Sequence, residues 1–152
     1  RALFRERLLP DIISGSSGGA LIGSVICART DEELGELLET EDMPGLDEPA
    51  GIVDRVFSVF KGERITPDDI REMLEEFLPD YTFEESFNRT GRNKNVSVAP
   101  ATNHQKSRHL YADTSPYVFM REAVLASSAI PGVFPSVILM AKTDKGDRQA
   151  YH

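Results

Sequence analysis

The sequence predicts an α/β layered fold, and three observations carry that expectation. Short apolar or alternating runs recur between stretches of helical character, the pattern of strands covered by helices. A Gly-x-Ser-x-Gly sequence, Gly15, Ser17 and Gly19, joins the first of those runs to a small, apolar, helix-forming stretch. Polar helix-start signals follow at Thr30-Asp31-Glu32-Glu33, Thr66-Pro67-Asp68-Asp69 and Thr82-Phe83-Glu84-Glu85.

Residues 1–8 suit the end of an amphipathic helix. Residues 9–14 read as a strand, with Ile12-Ile13 as a short buried apolar run. Residues 17–28 are apolar on all sides, with small residues interspersed, which suits a helix buried against a sheet. Thr30 and Glu33 have capping-box spacing and open a short helix to about Glu39. Residues 40–51 hold Pro44, Gly45, Pro49 and Gly51 among acids and read as a solvated loop, and 52–60 as a weakly apolar surface helix. Thr66 as N-cap, Pro67 at the first helical position and acids in the first turn start a helix that Pro79 stops. A second capping box at Thr82 and Glu85 opens a short helix ending near Thr90-Gly91. Residues 94–100 alternate as a strand, and 101–113 read as a polar loop. Ser115-Pro116 starts a helix through Ser128, an apolar loop follows over 129–135, residues 136–141 read as a strand, and Asp144-Lys145-Gly146 suits a hairpin turn. No internal repeat or low-complexity segment interrupts this order.

Composition limits the function. The chain has 152 residues, 40% of them apolar and 28% charged. That is enough for one domain with a real core. The net charge of −8 and the absence of a basic cluster argue against nucleic acid. They leave lipid interfaces open. The longest apolar run, near 20–28, is too short to span a bilayer. The lone Cys27 reads as a small core residue, and it weakly favours a reducing compartment, cytoplasmic or at a peripheral membrane. The chain begins at Arg1 rather than Met and ends at His152 inside what reads as a strand, so a single domain over 1–152, cut at both ends, is expected.

The chemistry centres on Ser17. A nucleophile elbow needs a tight turn from strand to helix, so bulky side chains are disfavoured at Gly15, Gly18 and Gly19, and the middle Ser is raised at a helix N-terminus. There free N–H groups and the positive end of the helix dipole favour an oxyanion. No Gly-Lys-Ser/Thr follows, so this is not a Walker A loop, and the glycines do not fit a dinucleotide fingerprint. A serine nucleophile needs a base. His104 and His109 read as surface-loop residues, and His152 is terminal. The acid pairs Asp68-Asp69, Glu75-Glu76 and Glu84-Glu85 fall on predicted helices in capping or solvent roles. No residues have metal-ligand spacing, and no cofactor is called for. The residues therefore predict a serine hydrolase elbow without a convincing base.

Two blocks, residues 12–21 around the elbow and residues 126–135 (Ala-Ser-Ser-Ala-Ile-Pro-Gly-Val-Phe-Pro), together resemble the patatin-like phospholipase family. Residues 82–100 are also similar to the subgroup related to lipid-droplet triacylglycerol lipases. The resemblance covers most of 9–141. It implies a patatin-like layered sheet flanked by helices and acyl-ester hydrolysis by a Ser-Asp dyad. Ser17 takes the place of the nucleophile, and the Gly18 N–H that of an oxyanion donor. The family's Asp stands in an Asp-Gly motif. This sequence has none, and Asp144 and Asp147 do not match it, so the Asp is expected beyond His152 and the glycine-rich oxyanion loop before Arg1. Ile130, Pro131, Val133 and Phe134 are candidates to line an acyl pocket. Two functions stay open: a lipid acyl-ester hydrolase of phospholipase A or acylglycerol lipase type, acting on phospholipid or acylglycerol at a peripheral membrane or lipid-droplet surface, and a non-catalytic module of the same fold that binds lipid or a partner. Acyl transfer would use the same site. The chain alone is expected to be inactive if both missing segments are needed.

Overall fold

In the computed structural model residues 2–39, 66–101, 106–129 and 135–151 are described. The proposed loop over 40–51 and the weak helix over 52–60 lie outside them. The order is α1 (Ala2–Arg5), β1 (Ile12–Gly15), α2 (Gly18–Cys27), α3 (Asp31–Glu39), α4 (Pro67–Phe77), α5 (Phe83–Thr90), β2 (Asn93–Val98), β3 (Arg108–Leu110), α6 (Met120–Ser128), β4 (Met140–Lys142) and β5 (Arg148–Ala150). One sheet runs β1-β2-β3, with β1 parallel to β2 and β3 antiparallel to it; β4 and β5 form a separate hairpin.

The core gathers on the side of β2 that carries Val96 and Val98. Ala20, Leu21 and Val25 of α2, Leu74 of α4, Phe83 of α5 and Met120, Val124 and Leu125 of α6 join it, all buried. Lys94 shares that face by the two-residue period of the strand and is only 2% exposed.

The helix signals work as their chemistry requires. Thr30, Thr66 and Thr82 each accept from the backbone N–H three residues on, and Glu33, Asp69 and Glu85 accept in return from the three cap N–H groups. At α5 all four free N–H groups of the first turn find acceptors. Thr82 donates to Glu85 Oε2, Phe83 to the Val118 carbonyl, Glu84 to that of Pro116 and Glu85 to Thr82 Oγ1. Gly91 closes α5 in the left-handed region at φ 71°. The C-terminal end of α2 is satisfied from neighbouring elements: Cys27 O accepts from Ser86 Oγ (3.1 Å) and Thr90 Oγ1 (2.8 Å), and Arg29 O from Arg92 Nη1 (3.1 Å). Arg29 and Arg121 donate to Phe77 O and Leu78 O, which finish α4.

Several expectations need correction. The opening helix is one turn, Ala2–Arg5. Ile12 is not buried but 65% exposed. Among the described residues β1 has β2 as its only strand neighbour, and α2 covers the face that carries Ile13, not Ile12. The presumed loop 101–113 contains β3, because the Leu110, His109 and Arg108 backbones pair with Val96, Ser97 and Val98. The helix assigned from Ser115 starts only at Met120. Residues 116–119 are drawn into extended pairing instead: Tyr117 O accepts from Lys142 N–H, and Phe119 N–H donates to Met140 O. The strand assigned to 136–141 is confined to Met140–Lys142 for the same reason, since it exists where partners meet it. The hairpin turn stands where expected, with Gly146 at φ 87°.

Removing a cap hydroxyl exposes these differences energetically. Thr82 is 2% exposed, whereas the Thr66 box lies at the surface. Thr82→Ala should cost about 1–2 kcal/mol and Thr66→Ala about 0.5–1 kcal/mol, read by urea unfolding.

Candidate functional site

The site is built where β1 ends and α2 begins. Ser17 caps α2 with φ 49° and ψ −123°, in a region that non-glycine residues rarely occupy. Such a conformation costs on the order of 1–3 kcal/mol and persists only where surrounding contacts enforce it. Three backbone bonds start the helix at once: Gly19 N–H to Ser16 O (2.9 Å), Ala20 N–H to Ser17 O (2.9 Å) and Leu21 N–H to Ser17 O (3.1 Å). Ser17 is half-buried, and its Oγ makes no hydrogen bond among the described residues.

The glycines divide. A Cβ on Gly15 would lie 2.4 Å from the Gly19 carbonyl oxygen and 2.9 Å from Ala20 N, so the strand end and helix start touch backbone to backbone. The expected restriction at Gly19 is not steric: a Cβ there meets nothing within 4 Å among the described residues, and Gly19 is exposed. Gly18 opens α2. Its N–H is one of the four that a helix leaves without an internal acceptor.

Two side chains that the motif did not single out hold the turn. The Ser17 N–H donates to Ser127 Oγ at 2.9 Å, and Ser127 Oγ donates to the Ser97 carbonyl at 2.7 Å. Lys94 Nζ donates to Gly19 O at 3.3 Å from beneath α2. Burial lowers the Lys94 amine to about 8, against a smaller opposing effect of Cys27. The signal for Lys94 was visible, a lysine in phase with Val96 and Val98. Ser127 lay within the block 126–135, but nothing in its spacing reveals a partner 110 residues away.

The remaining candidates separate from Ser17. His109 is exposed on β3, where Nδ1 lies 3.1 Å from Ser97 Oγ, an ordinary cross-strand pair. His104 and His152 lie outside the described residues, as do Ile130, Pro131, Val133 and Phe134. Asp69 and Glu85 are occupied as caps, and Glu85 also holds Lys142 at 2.6 Å. Asp147 sits in the β4–β5 turn, where its N–H donates to Thr143 Oγ1. Cys27 is buried, and burial raises its thiol to about 11, which keeps it protonated and inert near neutral pH. No group of His, Cys, Asp and Glu suited to a metal occurs among the described residues. A cleft of about 370 Å³ is lined by Glu122 and Leu125 of α6 and by Ala129 just after it, together with Ile70, Val137 and Met140. At 100° per residue those α6 positions lie opposite Ser127, so the cleft is on the far side of α6 from Ser17.

The family model described as patatin-like phospholipase matches residues 1–148. A patatin-like phospholipase domain-containing protein of Yarrowia lipolytica is 41% identical over 152 residues, covering 97% of this chain and 18% of the relative. One from Candida albicans is 39% identical over 147 residues, 93% of this chain and 17% of the relative. Triacylglycerol lipase 4 of Saccharomyces cerevisiae is 33% identical over 171 residues, 98% of this chain and 18% of the relative. The chain thus spans under a fifth of the length of these relatives.

Two outcomes test the geometry in the full-length protein. Gly15→Ala should destabilise by at least about 3 kcal/mol, because backbone rather than a flexible side chain must move. Gly19→Ala should be neutral, or stabilising by up to about 1 kcal/mol, through helix propensity; chemical denaturation distinguishes the pair. Lys94 titrates near 8 in the folded chain against 10.5 ordinarily. The unfolded chain then holds a proton that the native state has released, so stability should rise with pH above about 8. Cys27 acts oppositely above its ordinary 9, because the native thiol keeps its proton to about 11. The net rise is confined to about pH 8–9, amounts to at most about 1.4 kcal/mol, and should vanish in Lys94→Met when unfolding free energy is measured against pH.

Proposed function

The chain belongs to the patatin-like phospholipase family, and from that premise we propose that it carries the nucleophile of a lipid acyl-ester hydrolase. The carrying observation is the backbone of Ser17, held at φ 49° on the turn from β1 into α2 with its hydroxyl unpaired among the described residues. In this reading Ser17 Oγ attacks the acyl carbonyl carbon. Its proton passes to the carboxylate of an Asp outside residues 1–152 and then to the departing alcohol, as the ester C–O bond breaks. Water attacks the acyl-serine, the fatty acid leaves, and the proton returns to Ser17. The Gly18 N–H, at the positive end of α2, stabilises the oxyanion of both tetrahedral intermediates together with a glycine-rich loop that precedes Arg1 in the complete protein. Ser17's own N–H is committed to Ser127, which supports assigning the donor role to the next residue.

For the substrate we propose acylglycerols ahead of phospholipids, because Triacylglycerol lipase 4 is among the relatives, at a lipid-droplet or peripheral membrane surface. A second reading, a non-catalytic module that binds lipid or a partner, draws on the lack of any base bonded to Ser17 among the described residues. The two diverge in one experiment. The full-length protein and its Ser17→Ala variant are treated with a fluorophosphonate probe and assayed on triacylglycerol emulsions and phospholipid vesicles. The hydrolase reading expects wild-type labelling that disappears in Ser17→Ala, a loss of at least about 10³-fold in turnover, and faster turnover of the emulsion. An unlabelled, inactive, folded wild type supports the binding module, and a Ser17→Ala variant that still turns over lipid removes Ser17 from the chemistry.

A further inference from the structure

The rungs between β1 and β2 follow a simple rule. Ile12 stands opposite Asn93 and Gly15 opposite Val96, and the Asn93 N–H donates to the Asp11 carbonyl. In a parallel ladder of that register every second β2 residue bonds the β1 residues on either side of its partner. The next rung past the end of β1 would therefore run from the Ser17 N–H to the Ser97 carbonyl. That rung is absent, and the Ser127 hydroxyl stands in its place, accepting from Ser17 N–H at 2.9 Å and donating to Ser97 O at 2.7 Å.

We propose that Ser127 is a positioning residue that holds Ser17 in its reactive backbone conformation by filling this rung; the proposal rests on the reading of Ser17 as the nucleophile. A hydroxyl carries one proton, and here it is spent on Ser97 O, so toward Ser17 the oxygen can only accept. That excludes Ser127 as an oxyanion donor and as a base for the Ser17 hydroxyl. It leaves one task. The inserted oxygen keeps β1 and β2 from zipping onward, so the chain turns away at Ser16 and Ser17 stays at φ 49°. Ser127 lies near the end of α6, half-buried, which makes this helix the clamp on the elbow. Without the hydroxyl the Ser17 N–H either loses its partner or pairs directly with Ser97 O, and both outcomes move Ser17 Oγ. The adjacent Ser128 provides an internal control. Its hydroxyl donates to Val124 O within α6 rather than to the elbow.

The test uses the full-length protein with Ser127→Ala, Ser127→Thr, Ser128→Ala and Ser17→Ala. For each, kcat and KM on one lipid ester, the fluorophosphonate labelling rate, and hydrogen exchange of the peptide spanning 12–21 are measured. Ser127→Ala should lower kcat and labelling rate together by about 10- to 100-fold, as expected for a displaced nucleophile, leave KM within about 2-fold, and speed exchange at the elbow. Ser127→Thr, which keeps the oxygen, should recover most of the rate, and Ser128→Ala should stay within about 2-fold of wild type. A folded Ser127→Ala protein with wild-type kcat and labelling overturns the proposal while the Ser17 reading stands. An equal loss in Ser128→Ala overturns it too, since the effect would then belong to the helix end. A Ser17→Ala variant that keeps labelling and turnover overturns both. Should Ser127→Ala fail to fold, Ser127→Cys, a weak acceptor of similar shape, carries the same expectation at smaller amplitude.

Discussion

The backbone contact between the end of β1 and the start of α2 governs the rest of this molecule. Gly15 and Gly19 approach so closely that even one methyl at Gly15 would overlap the Gly19 carbonyl. That proximity sets how α2 leaves the sheet, and so which of its residues reach the core. Ala20, Leu21 and Val25 then bury against Val96 and Val98. At Gly23 the helix passes so near the sheet that a Cβ would sit 3.0 Å from Ile13 Cγ2 and 2.6 Å from Lys94 Nζ. The strain at Ser17 follows from the same crossing, because a chain that must reverse within Ser16 and Ser17 has few backbone conformations left.

Such a turn survives because polar groups from distant elements hold it. Ser127 on α6 occupies the rung between Ser17 and Ser97. Lys94 on β2 reaches Gly19 O from below. At its other end α2 hands its carbonyls to Ser86, Thr90 and Arg29. The Ser17 N–H and the Val25 and Cys27 carbonyls have no partner within α2, and leaving such a group buried and unpaired costs roughly 1–3 kcal/mol. The helix carrying the candidate oxyanion donor is therefore fixed at both ends. A preorganised site requires this, since donors that must reorient during reaction give up much of their stabilisation.

The legible parts of the fold were those whose causes are local. A capping box is a three-residue exchange of hydrogen bonds, and Thr30 and Thr82 each made theirs as expected, while Thr66, expected as an N-cap, gained the return bond to Asp69 as well. Gly91 and Gly146 took positive φ where turn chemistry asks for it. The failures share the opposite property. Residues 108–110 look like polar loop, and become a strand only because β2 offers an edge. Residues 116–119 follow a helix-start signal, Ser115-Pro116, yet their carbonyls serve the first turn of α5 and the β4 backbone, and Tyr117, Val118 and Phe119 suit extended structure.

For the site the division is sharper. The sequence by itself determined the turn and its serine, because Gly-x-Ser-x-Gly between a strand and an apolar helix states a local steric requirement, and two separated blocks together identified the family. Only the tertiary structure decided which glycine is needed for space and that a lysine lies beneath the helix. It alone brought Ser127 to the Ser17 N–H across 110 residues of chain. That contact exists because α6 packs beside α2 over β2, and packing between elements far apart in sequence leaves no local pattern from which to read it.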